Sequence, residues 1–154
     1  VKGINENNPI IRHSNVNDIP GLLVLLEQLG YPCGLEDLKA RLIRFLNNPG
    51  YGVAICEINT EIVGMVAYSK SELFVSDKSR FHIESLVVLK SYRGKGIGKQ
   101  LMLFVEKIAK HNSPSIVDLT SGLRRAVDGS HEFYKNLGYK NEGPMAKLYL
   151  RKEL

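Results

Sequence analysis

Ile83-Glu84-Ser85-Leu86-Val87-Val88-Leu89 leads, through Lys90-Ser91, into Tyr92-Arg93-Gly94-Lys95-Gly96-Ile97-Gly98-Lys99, and the reading of this stretch decides the fold. Its first half is an apolar run of strand length. Beyond the glycines, Ile97, Leu101, Phe104, Val105 and Ile108 recur at helical spacing. A strand, a glycine-rich turn and a helix N-terminus in that order make an anion site. Glycine lets the backbone approach the anion, the first helical N–H groups are unpaired, and the helix dipole adds partial positive charge. Arg93, Lys95 and Lys99 add full charges, so a phosphate-bearing ligand is expected here.

Two common nucleotide motifs fail on single residues. A Walker A loop ending at Gly98-Lys99 needs glycine at 93, which is Arg, and a hydroxyl at 100, which is Gln. A dinucleotide fingerprint on Gly94-Lys95-Gly96 needs glycine at 99, which is Lys, and belongs at the start of a domain rather than past its middle.

Arg-x-x-Gly-x-Gly does fit, as Arg93, Gly96 and Gly98. With the preceding Ile83–Val88 strand it resembles the acetyl-CoA-binding motif of the GNAT superfamily of N-acetyltransferases, small bacterial members in particular. Downstream, His131-Glu132-Phe133-Tyr134-Lys135-Asn136-Leu137-Gly138-Tyr139 is similar to the family's Phe-Tyr-x-x-x-Gly-[Phe/Tyr] segment. The two motifs come in the family's order and spacing. The resemblance implies a mixed α/β sheet, mostly antiparallel, of six to seven strands with about four helices on both faces. It also implies an acetyl-CoA-dependent N-acetyltransferase.

The chain has 154 residues, expected to form one domain with residues 1–9 as a loose, Asn-rich arm. The net charge of +5 is mild and scattered, without a basic block or interleaved exposed aromatics, so a nucleic-acid partner is not expected. No apolar run reaches membrane-spanning length, and Val1-Lys2-Gly3-Ile4-Asn5 lacks a signal-peptide pattern. Cys33 and Cys56 are far apart and the four histidines are dispersed, which gives no metal site or disulfide framework. Cys56 is expected buried and Cys33 exposed, in a cytoplasmic, reducing setting.

Periodicity places the remaining elements. Ile10–His13 reads as a strand. Ile19, Leu22, Leu23, Leu26 and Leu29 form a helical ladder, with Asp18 as N-cap, Pro20 in the first turn and Gly30 as stop. Leu35, Leu38, Leu42, Phe45 and Leu46 mark a second helix, closed by Asn47-Asn48-Pro49-Gly50. Residues 51–58 and 61–68 form a hairpin about Asn59-Thr60, 81–89 a strand, and 115–120 another. A fourth helix covers about 129–137 with Gly138 behind it, and Tyr139–Leu150 has strand character interrupted by Gly143-Pro144.

The resemblance also assigns roles. In the family an amine attacks the thioester directly, so the amine must lose a proton, an oxyanion needs donors, and the leaving thiolate gains from a proton. Tyr134 matches the general acid. A phenol, with a pKa of about 10, is protonated at neutral pH. Tyr134 also counts among the cofactor-binding residues, with Leu86, Val87, Val88, Arg93, Gly94, Lys95, Gly96, Ile97, Gly98 and Lys99. The backbone of Leu86, Val87 and Val88 would pair with the pantetheine arm like an added strand. Glu84 is the candidate for handling the amine. It shares a strand face with His82, opposite an apolar face of Ile83, Val87 and Leu89. Base, amine-binding group and ion-pairing structural residue are all open for it. The segment Arg124, Arg125 and Asp128 often contacts the cofactor in the family, but here Asp128 serves equally well as a turn or cap residue.

The acceptor is a small-molecule or peptide amine. Its selection is expected in the first two helices and their 30–35 connection, with the 71–80 loop, where Glu27, Tyr31, Glu72 and Asp77 would favour a cation. No metal is required. Homodimers are frequent in the family, and no residue here marks an interface. The competing reading is a non-catalytic acyl-CoA-binding or regulatory module on the same fold.

Overall fold

A computed structural model describes residues 8–122 and 128–154, which leaves the first seven residues of the expected arm, and Arg124 and Arg125, outside the described residues. The chain forms two compact units, one ending at Val117 and one beginning at Asp118.

The first unit contains β1 (Ile10–His13), α1 (Ile19–Leu29), α2 (Leu35–Asn47), β2 (Tyr51–Ile58), β3 (Glu61–Glu72), β4 (Ser79–Val88) and α3 (Ile97–His111), and β5 (Ser115–Leu119) crosses its boundary. The strands lie in sequence order in a five-stranded sheet, and the first three pairings are antiparallel. The α/β architecture is as expected, with five strands among the described residues instead of six to seven. Asn59 and Thr60 both have positive φ, 49° and 66°. That is the geometry a two-residue hairpin needs to match the twist of its strands.

Helices cover both faces of the sheet. Leu22, Leu25 and Leu26 of α1 and Leu38 and Leu42 of α2 bury against Val53, Ile55, Met65, Ala67 and Val87. Alternation sends Gly64 to the opposite face, under α3. A Cβ there would stand 3.1 Å from Leu101 Cδ1 and 3.2 Å from Ile97 Cγ2. The first turns of α3 therefore seat directly on the strand backbone, which fixes the height of the helix N-terminus.

Asp18 does not cap α1 with its side chain. Both its oxygens accept 2.8 Å hydrogen bonds from the Arg12 guanidinium, and it also accepts from Ser14 Oγ and the Asn15 N–H. The carboxylate thus ties β1 to the entry of α1. A tertiary ion pair has taken over the residue that local pattern assigns to a cap.

β4 carries a bulge. Ser85 pairs with Ala67 but Ile83 pairs with Tyr68, so Glu84 is the extra residue. Val87 lies opposite Met65 and Ile83 opposite Tyr68. Met65 and Tyr68 are an odd number of residues apart on a regular strand, so Ile83 and Val87 face opposite sides of the sheet. This corrects the single apolar face expected for Ile83, Val87 and Leu89. An extra residue resets alternation for everything that follows it.

In the second unit α4 spans Ser130–Asn136, followed by Gly138 at φ 92°. The expected strand over Tyr139–Leu150 does not form. A 3-10 turn occupies Gly143–Met145, and residues 141–154 are exposed throughout. Asn141 explains part of this. Its side chain accepts from the Lys147 N–H at 2.7 Å and donates to the Lys147 carbonyl at 3.3 Å. Those are the two groups a neighbouring strand would have paired.

Candidate active site

The turn between β4 and α3 is built to leave its amides open. Arg93 is extended, Gly94 and Gly96 are left-handed at φ 76° and 80°, and Gly96 occupies the N-cap of α3 with no side-chain cap. A side chain at the cap would have taken one of the free N–H groups of the first turn. A Cβ on Gly94 or Gly96 would meet nothing within 4 Å, so the space beside both backbones is vacant. Ile97 is buried and pins the helix, while Lys95, Gly96 and Lys99 are exposed.

Several bonds hold the turn in place. Arg93 Nε donates 3.1 Å to the Val88 carbonyl, the Tyr92 hydroxyl donates 2.9 Å to Glu61 Oε2, and the Lys90 N–H donates 2.7 Å to Gln28 Oε1. The hydrogen bond to Glu61 favours the protonated phenol and raises the Tyr92 pKa. The Lys95 ammonium stands 5.0 Å from the Tyr92 ring centroid, in cation–π range. Arg93 thus spends one donor on joining strand to turn.

Glu84 is exposed on its bulge, and Ser69 Oγ donates a 2.6 Å hydrogen bond to its Oε1. A carboxylate inside an apolar strand would ordinarily carry a desolvation cost, but the bulge leaves Glu84 exposed. His82 receives an Arg80 guanidinium contact at 3.0 Å on Nδ1. Glu84 and Ser85 both line a groove of about 210 Å³ against α1 and α2, floored by Leu22, Met65 and Ala67. Arg41 lies on the same groove, whereas Glu27, Tyr31, Glu72 and Asp77 do not line it. Sequence reasoning missed Arg41 and Ser69. The signal for Arg41 was its place in the apolar stripe, three residues after Leu38 and four before Phe45. A second hollow of about 340 Å³ lies by the hairpin tip, where its one charged residue, Glu61, is engaged by Tyr92.

Val87 is buried, and Leu86 and Val88 are half-buried, paired across to Val66 and Gly64. In the second unit, half-buried Tyr134 lies on α4 with its ring edge-to-face against Phe133 and Tyr139 at 5.1 and 6.1 Å. The Tyr139 N–H returns to the Tyr134 carbonyl at 3.0 Å. Asp128 accepts from the Ser130 N–H and hydroxyl at 3.1 and 2.6 Å, the local turn role foreseen for it. Cys56 is buried, and burial pushes its thiol up to about 11; Cys33 is half-buried rather than exposed. Among the described residues no cluster of metal ligands occurs, and no helix is long and apolar enough to cross a membrane.

An uncapped helix N-terminus, two left-handed glycines with vacant space beside them and flanking cations fit a pyrophosphate-bearing ligand such as acetyl-CoA. Comparison with known proteins agrees. The chain belongs to the acetyltransferase (GNAT) family, whose model matches residues 23–139. It is accordingly an N-acetyltransferase with acetyl-CoA as donor. It is 26% identical over 135 residues to an aminoalkylphosphonate N-acetyltransferase of Salmonella typhimurium, covering 84% of each chain. It is 34% identical over 101 residues to an uncharacterized N-acetyltransferase of Methanocaldococcus jannaschii, covering 65% of this chain and 43% of that one. The crystal structure of a GNAT family acetyltransferase from Staphylococcus aureus superposes with a TM-score of 0.77 at 27% identity, over 95% of this chain and 98% of the other.

Proposed function

We propose that residues 1–154 act as a single acetyltransferase domain that moves an acetyl group to a small primary amine, with Glu84 handling the amine and Tyr134 as general acid. The observation that carries this reading is the uncapped N-terminus of α3 with Gly94 and Gly96 held open beside it. Bound acetyl-CoA supplies an acyl group activated as a thioester. The N–H groups from Gly94 to Lys99 bind its pyrophosphate, with charge added by Lys95 and Lys99. The backbone of Leu86, Val87 and Val88 lines the pantetheine arm.

Glu84, exposed and held by Ser69, attracts the ammonium form of the acceptor and takes its proton directly or through one water. The Tyr134 hydroxyl gives its proton to the departing sulfur. A small acceptor suits the modest groove beside Glu84, and the Salmonella relative is by name an enzyme of aminoalkylphosphonates.

Tyr134→Phe tests the acid. It should keep acetyl-CoA affinity while turnover falls by roughly 10²–10⁴, the usual contribution of general acid–base catalysis. Full activity in that variant across the pH range would remove Tyr134 from the mechanism.

A further inference from the structure

The groove against α2 holds one cation and one carboxylate over an apolar floor. Leu38, Arg41, Leu42 and Phe45 all line it. Their spacing puts them on one face of the helix. Three of the four are apolar, and Arg41 is the one charged side chain that α2 brings to the groove. Its stem covers apolar surface while its exposed head stays available. Among the described residues no carboxylate pairs with Arg41. Glu84, supported by Ser69, supplies the opposite charge to the same groove.

We infer that the acceptor is a small zwitterionic amine whose anionic group is held by Arg41 while its ammonium meets Glu84. This rests on the acetyltransferase reading above and extends it to the class of acceptor. A guanidinium presents two parallel N–H donors that match the oxygens of a carboxylate or a phosphonate. A short methylene linker lies over Met65 and Ala67. The volume of about 210 Å³ falls below the roughly 300–1,000 Å³ of sites for drug-sized ligands, which selects a compact molecule. A neutral-tailed amine leaves Arg41 without a partner, and a diamine brings a second cation against it.

The test compares β-alanine, 2-aminoethylphosphonate, n-propylamine and 1,3-diaminopropane as acceptors, with kcat/KM read from thiol release. In the unmodified protein the anionic amines should exceed propylamine by on the order of 10- to 100-fold, the scale of a charge-assisted contact. Whichever of the two leads identifies carboxylate or phosphonate as the preferred anion. Arg41→Gln should bring the ratio towards one, Arg41→Lys should keep part of it, and Arg41→Glu should turn preference to the diamine. Lys39→Gln, exposed on the same helix, should keep the full ratio. Because the ratio is taken within each variant, a loss of folded protein cancels. A ratio near one in the unmodified protein, or one that survives Arg41→Gln, overturns the inference. Absence of turnover with every amine would instead count against the acetyltransferase reading beneath it.

Discussion

Ser69 Oγ donates a 2.6 Å hydrogen bond to Glu84 Oε1, and it does so because Glu84 is the extra residue of the β4 bulge. The bond leaves the second carboxylate oxygen for other donors and restrains a side chain that is otherwise free in solvent. Restraint of this kind raises the fraction of time a group spends in a productive geometry.

Ser69→Ala is therefore expected to lower kcat/KM by about 3- to 10-fold, in line with a net contribution of about 0.5–1.5 kcal/mol for an ordinary hydrogen bond. Glu84→Gln removes the charge as well and should lower it by about 10- to 100-fold. Steady-state kinetics on both, with circular dichroism to check folding, decides the matter. Equal activity of Glu84→Gln and the unmodified protein would leave the residue a structural role only.

Gly96→Ala separates binding from packing. Its Cβ meets no protein atom within 4 Å, so the only intrinsic cost is the left-handed backbone at φ 80°, about 1–2 kcal/mol. The added methyl, however, stands beside the free amides of the α3 first turn. Calorimetric titration should give an acetyl-CoA Kd raised about tenfold or more against a small fall in Tm. An unchanged Kd would place the anion elsewhere.

Gly64→Ala is the complementary case. The new Cβ would lie 3.1–3.3 Å from Leu101, Ile97 and the Val87 carbonyl, in a buried seat that cannot yield without moving α3. Overpacking of this kind costs about 1–3 kcal/mol. Denaturant unfolding should show that loss, and acetyl-CoA binding should weaken with it because the same helix N-terminus moves. A variant of unchanged stability would mean that α3 is not seated on β3 as described.

The elements legible in the sequence are those whose causes are local. The hairpin about Asn59-Thr60 was legible from the two strand runs on either side of it, and Asn59 is a residue that tolerates the positive φ its turn requires. Gly94 and Gly96 marked the turn that precedes α3, and the apolar ladder from Ile97 gave α3 its first residue. What stayed hidden depends on partners distant in sequence. The bulge at Glu84 is a property of register against β3 and has no glycine to announce it. Asp18 looked like a cap until Arg12, six residues away and on another element, claimed its carboxylate. Ala146, Leu148 and Leu150 alternate as a strand would, yet alternation describes only one face of a strand and not the edge that must receive it. Tyr134 stands out by its place in the Phe133-Tyr134 motif, while Arg41 is singled out only by the groove it lines.

The Arg12–Asp18 pair sets an acid limit on stability. The Arg12 hydrogen bonds hold the Asp18 carboxyl below the usual carboxylate value of about 3.9, against the opposing effect of burial. A depressed carboxyl contributes stability that is fully present above its unfolded-state pKa and is lost as pH falls through the folded value. Arg12 stays protonated over that whole window, its own pKa being raised further by the same contact. Asp18 is almost fully buried and Arg12 about one-third exposed, so breaking the pair should cost about 3 kcal/mol, the lower end for a buried pair. Asp18→Asn is thus expected to be less stable by about that amount at pH 7. The difference should narrow below about pH 4, as the unmodified protein takes up the proton that the variant cannot. Urea unfolding at a series of pH values measures both. A gap that stayed constant down to acid pH would mean that the loss reflects packing around residue 18 and not its charge.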